Sequence, residues 1–193
     1  MDAALKKVFF ELALLSPGDW YIQALDLKAA ADRLDYTKFP VRQDEDVISY
    51  IGTYQLLLGF SFENLLKGLI IFFRMRSGEI PSLTQKHFTH DLSALAGDPS
   101  CAPLEITSDE LATLHRLSAY GIWAGRYPMP KRAADVTVIS HGNREYAAEQ
   151  ALWNRLSKYL YVRGWVKKWV DEKKYGSILM LNHPNANSPD EEH

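Results

Sequence analysis

Apolar residues recur at spacings of three and four along most of the chain, the period of helices that bury one side. Leu5, Val8, Phe9, Leu12 and Leu15 predict a first helix over 2–15. Ser16-Pro17-Gly18-Asp19 then predicts a stop and a restart, because Ser16 can cap a helix and Pro17 suits its first position. The second helix is expected from Pro17 to about Tyr36, with Trp20, Ala24, Leu27, Ala31 and Leu34 on one face, and Phe39-Pro40 ends it. Asp44-Glu45-Asp46 places negative charge where a helix begins, which suits the helix dipole. A long helix is expected from about Asp46 to Arg76, stopped at Ser77-Gly78.

Residues 79–89 are read as a loop and His90 to Ala96 as a short helix, closed by Gly97-Asp98-Pro99. Thr107-Ser108-Asp109-Glu110 has the form of a capping box, in which Thr107 and Glu110 satisfy each other's backbone N–H groups. The helix it opens is expected to reach Gly121 to Gly125, ahead of Pro128. Val136-Thr137-Val138-Ile139 is β-branched and allows a short extended segment. A helical pattern returns from Asn143 to Lys174, with Leu152, Trp153, Leu156, Tyr159 and Leu160 on one face. Beyond Gly164 the apolar set becomes Trp165, Val166, Trp169 and Val170 on a rotated face, so the helix bends there or its halves meet different neighbours. The pattern predicts an all-α bundle of five to seven helices with a long central and a long C-terminal helix. It forms one domain over 1–181, followed by a polar tail over 182–193.

Composition narrows this further. Hydrophobic residues are 47% and charged residues 24% of 193, as in ordinary globular domains. A single cysteine excludes an internal disulfide framework and fits a reducing compartment. The most apolar stretch, Val47 to Phe73, carries Gln55, Glu63, Asn64 and Lys67, so it reads as a core helix rather than a membrane span. A cytoplasmic chain with no membrane contact is expected. The net charge of −2 gives no global attraction to nucleic acid. Between Arg144 and Lys174, however, eight Lys/Arg stand against four Asp/Glu, with Trp153, Tyr159, Tyr161, Trp165 and Trp169 interleaved. Cations alternating with aromatic rings can follow single-stranded nucleic acid by phosphate contact and stacking. A solvated helix face over core aromatics has the same sequence.

Three clusters carry candidate chemistry. Glu63 and Lys67 stand four apart in the order that favours a helical ion pair, beside Ser61 and Asn64, and these groups need partners if buried. They form either a register-fixing network or the floor of a binding cleft. His90-Asp91 either caps a helix or pairs an imidazole with a carboxylate for proton transfer. Arg126-Tyr127-Pro128 can pair with a carboxylate such as Glu63 or bind a phosphate. The candidate cleft therefore joins Glu63, Lys67, His90, Asp91, Arg126 and Tyr127, with Trp165 and Trp169 as candidates for a subunit interface. His87 and His90 lack a matched second ligand pair, so no metal and no cofactor is expected. No catalytic residue is assigned.

The long helix ending in Glu63-Asn64-Leu65-Leu66-Lys67-Gly68-Leu69, the His90-Asp91-Leu92 opening, and the stretch from Tyr120 through Arg126-Tyr127-Pro128 follow one another in an order that resembles the HEPN superfamily of small helical domains. The resemblance covers roughly residues 44–128. It implies a bundle of four or five helices, often a homodimer, associated with RNA, nucleotides, defence systems or toxin–antitoxin pairs. Many members are metal-independent ribonucleases with an Arg followed a few residues later by a His. Here Arg76 and His87 are separated by ten residues, Arg132 and His141 by eight, and Arg116 has no following His within reach. The expectation is therefore a non-catalytic binding or interaction module for RNA, a nucleotide or a protein partner. The alternative is a ribonuclease with a non-standard site, in which His90 or His141 accepts the proton and Arg126 or Arg132 steadies the phosphate.

Overall fold

A computed structural model describes residues 15–34, 51–124 and 142–160 of the chain. Among these residues the architecture is an all-α bundle without strands. Its elements are α1 (Pro17–Arg33), α2 (Ile51–Arg76), a 3₁₀ turn (Gln85–His87), α3 (Leu92–Ala96), a 3₁₀ segment (Pro99–Leu104), α4 (Ser108–Ala119), a π turn (Tyr120–Ala124) and α5 (Asn143–Ser157). Residues 2–14 of the helix expected over 2–15, the start of the long helix before Ile51, the β-branched segment, Arg126, Tyr127, Trp165, Trp169 and the polar tail all lie outside the described residues.

The helix starts follow the local chemistry of the sequence. Ser16 Oγ accepts from the Asp19 N–H at 3.2 Å, with Pro17 at the first turn. The Thr107–Glu110 box is closed in both directions, at 3.3 Å from Glu110 N–H to Thr107 Oγ1 and 3.0 Å from Thr107 N–H to Glu110 Oε2. Asp91 does not open the short helix from within: it is the cap itself, its carboxylate accepting from Ala94 N–H at 3.0 Å. α1 stops at Arg33, short of Tyr36, because Leu34 N–H turns back tightly to the Ala31 carbonyl at 2.8 Å. The last α-helix runs to Ser157, Tyr159 and Leu160 continue as turns bonded three residues back, and the rest of the pattern expected to reach Lys174 lies outside the described residues.

α2 is the axle. Sixteen of its 26 residues are buried, on every side, as expected of a helix surrounded by others. It has the length and hydropathy of a membrane span, yet 78% of its most apolar window lies inside the fold. α1 lies antiparallel against it. Ser61 donates to the Ala24 carbonyl at 2.8 Å, and Gly68 faces the Pro17 carbonyl so closely that a Cβ there would stand 3.2 Å from that oxygen. The buried stripe of α1 is Pro17, Tyr21, Ala24, Lys28 and Ala31, while Trp20 and Leu27, expected at its centre, are only half-buried. Small residues at 24 and 31 let the backbones close, and this rotates the helix off its bulkiest face. α4 approaches α2 through Gly59, where a Cβ would meet the Leu117 carbonyl at 3.2 Å. α5 and the turn after it bring Leu152, Trp153, Leu156 and Leu160 into the same core, with Trp153 edge-on to Phe62 at 5.6 Å between centroids.

Candidate functional site

The polar residues at the middle of α2, Ser61, Glu63, Asn64 and Lys67, each have partners. Ser61 is bonded to α1, and Asn64 Nδ2 turns back to the Phe60 carbonyl at 2.7 Å. Lys67 Nζ donates to Glu63 Oε1 at 2.6 Å, and Glu63 Oε2 lies 2.8 Å from His90 Nδ1. The structure thus brings together three residues of the sequence-predicted cleft, Glu63, Lys67 and His90. Asp91 sits beside them as a cap, and Arg126 and Tyr127 lie outside the described residues.

The cluster is nearly sealed. The Lys67 and Glu63 side chains are 5% and 11% exposed, whereas His90 is 44% exposed. The Lys67 ammonium lies over the rings of Trp20 (5.3 Å) and Phe88 (5.5 Å), which replaces lost hydration with cation–π attraction. His90 stacks obliquely on Phe60 at 5.5 Å and rests on Gly121, whose missing side chain makes the room. With Nδ1 held by Glu63, the part-exposed ring has one fixed orientation. What the arrangement presents outward is one oriented imidazole with half-exposed Phe88 and Ile122 nearby.

Two further networks were not singled out by sequence. Glu149, fully buried on α5, receives Gln55 Nε2 at 3.0 Å, Arg116 Nη2 at 2.7 Å and Tyr54 Oη at 3.3 Å. Arg116 Nη1 also donates to Gln55 Oε1 at 3.0 Å. Gln150 Nε2 donates to Tyr54 Oη at 3.2 Å, and Lys28 links Gln150 Oε1 (2.9 Å) to Asp32 (2.6 Å). One chain of bonds therefore joins α1, α2, α4 and α5. Burial, reinforced by the Glu149 charge, raises the Tyr54 phenol well above its ordinary range, so the phenol stays a donor. The missed signal is register: Glu149 falls on the same stripe as Leu152, Trp153 and Leu156, and an acid on a core stripe must have buried partners.

The second network closes the loop after α2. Buried His87 accepts from the Thr84 N–H at Nδ1 (2.8 Å), so Nε2 carries the proton and donates to Asp98 Oδ2 at 2.9 Å. Lys86 reaches the same oxygen at 2.9 Å, and Arg74 spans Ser100 (2.9 Å), the Ser82 carbonyl and, at 3.4 Å, Asp98. Burial pushes the Asp98 carboxyl up, but the bonds from Lys86 and His87 outweigh it and hold the group well below the usual range. Cys101 alongside is pushed up to about 12 by burial and then by the Asp98 charge, which leaves it an inert thiol. His87 and His90 thus serve different carboxylates, and no group of three or more metal-ligating side chains gathers among the described residues.

A third place is on the surface. Where the end of α2 meets the end of α5, Phe72, Arg76, Arg155, Lys158 and Tyr159 line an open groove of about 380 Å³. Arg155 is committed inward, gripping Glu110 with two bonds of 2.7 Å and the Leu104 carbonyl at 2.8 Å. Those bonds outweigh burial and hold the Glu110 carboxyl below its ordinary range. Arg76 lies over the Phe72 ring at 5.7 Å, and neither Arg76 nor Lys158 has a carboxylate partner among the described residues. Tyr159 is fixed edge-on to Phe73 at 5.6 Å.

Compared with family models, curated proteins and solved structures, the chain matches none of them.

Proposed function

We propose that this chain is a HEPN-like helical module that binds RNA and does not cleave it. One observation carries the reading. The interior carboxylates Glu63, Asp98 and Glu149 each hold a cation or an imidazole of the fold itself, while the cations Arg76 and Lys158 stand outside beside aromatic rings. Acids tied to structural cations are poor general bases, and surface cations without partners are what a phosphate backbone meets. The module acts as a homodimer in the cytoplasm under this proposal, and it needs no metal or cofactor.

The test is to incubate the purified chain with labelled single-stranded RNA in chelator and run native and denaturing gels from the same tube. The expected result is a shifted band on the first and intact RNA on the second. Unshifted RNA at tens of micromolar protein overturns the reading, and co-purification with a protein in place of RNA points to a protein partner. Light scattering on the same sample gives the oligomeric state.

The ribonuclease alternative draws on one specific feature, the exposed His90 ring oriented by Glu63. A carboxylate-steered, part-exposed imidazole has the form of a general base. Shortened RNA on the denaturing gel that is lost in His90→Ala would favour this alternative.

A further inference from the structure

We propose that the groove between the ends of α2 and α5 is a single-strand site that takes two consecutive phosphates on Arg76 and Lys158, with one base against the face of Tyr159. The proposal rests on the RNA-binding reading and gives it an address and a size. The three cations of the groove are not equivalent. Arg155 is neutralised by its two-bond grip on Glu110 and serves as a wall, whereas Arg76 and Lys158 are exposed and without acidic partners among the described residues. An exposed cation in solution keeps its hydration and counterions, and their release is the driving force that a polyanion exploits.

The aromatic part selects a strand over a simple anion. Phe72 and Tyr159 line the groove between the cations, and Tyr159 cannot swing freely, being packed on Phe73 and bonded through its hydroxyl to the Pro103 carbonyl at 3.4 Å. A fixed ring beside cations is a stacking platform for an unpaired base, which a duplex cannot offer. Two contacts at about 0.7 each predict that the logarithm of affinity falls with the logarithm of salt with a slope of about −1.4.

The experiment is fluorescence anisotropy of a labelled single-stranded RNA octamer with the full chain and with the double variant Arg76→Glu, Lys158→Glu, over a salt series. Both substitutions are at exposed positions, and circular dichroism confirms that the variant folds. The expected result is at least a tenfold weaker affinity in the variant, a slope near the predicted value in the unmodified chain, and weaker binding of a duplex of equal length. Equal affinity of variant and unmodified chain overturns the groove while leaving RNA binding intact. Binding of duplex as tight as single strand, or equal competition by an acidic peptide, overturns the stacking and hence the single-strand site. No binding by the unmodified chain overturns the RNA reading itself, and the groove proposal with it.

Discussion

Glu149 and Glu63 are both interior carboxylates on helices, and the fold uses them in opposite ways. Glu149 is wholly enclosed and receives donors from α2 and α4, with the chain of bonds running on to α1. Among the described residues Glu63 holds Lys67 of its own helix and His90 of the next segment, and through His90 it touches solvent. The same functional group thus locks four helices at one level of the bundle and ties a single loop at another. What separates them is how many donors arrive from other helices, since an enclosed charge is tolerated only when its bonding capacity is filled.

The comparison breaks most visibly at Glu149. Replacing it with Ala leaves Arg116, Gln55 and Tyr54 facing an empty position, and breaking a buried ion pair costs about 3–5 kcal/mol. A urea melt of Glu149→Ala should show a loss of that size, and a loss under about 1 kcal/mol would remove the network from the account of stability.

Asp98 sharpens the comparison through pH. Its carboxyl is held below the usual range in the folded chain, so the unfolded chain takes up that proton first as acid is added. The stabilisation is therefore complete above the unfolded pKa of about 4 and is lost progressively below it. Asp98→Asn should cost about 2 kcal/mol near neutral pH, the scale of hydrogen bonds to a charged group, and should flatten the acid limb of a stability–pH curve. An unchanged acid limb would contradict the assignment.

The smallest effect belongs to His90. Its ring is nearly half exposed, so solvent screens its pairing with Glu63, and His90→Ala should cost less than about 1 kcal/mol in the same melt. A loss comparable to that of Glu149→Ala would make the rim cluster as central as the buried one.

Much of the helix layout is legible in the sequence because it is local. The Ser16-Pro17 restart, the Thr107–Glu110 box and the Ser77-Gly78 stop depend on residues a few positions apart. The Glu63–Lys67 pair is legible for the same reason, and the structure adds His90 to it. The rotation of α1 is not legible, because it depends on where its small residues Ala24 and Ala31 meet α2. Nor are the partners of Glu149 and Asp98, which arrive from positions far apart in the chain, such as Gln55, Arg116 and Arg74. An acid on a core stripe announces that partners exist without naming them. Of the groove cations, Arg155 and Lys158 are visible in the sequence only as part of a basic run, and Arg76 only as the end of the long helix. It takes the fold to show that Arg155 is engaged and that Arg76, from another helix, stands beside Lys158.

Under the proposed function the molecule divides its labour, with the inner polar clusters holding the helices and the outer cations and rings meeting the ligand. Photocrosslinking of a 4-thiouridine-labelled single-stranded RNA to the full chain, with adducts located by mass spectrometry, tests it most directly. The expected adducts fall on Tyr159 in the groove. Adducts concentrated on Phe60, Phe88 or His90 would place the ligand on the Glu63–Lys67 cluster and contradict it.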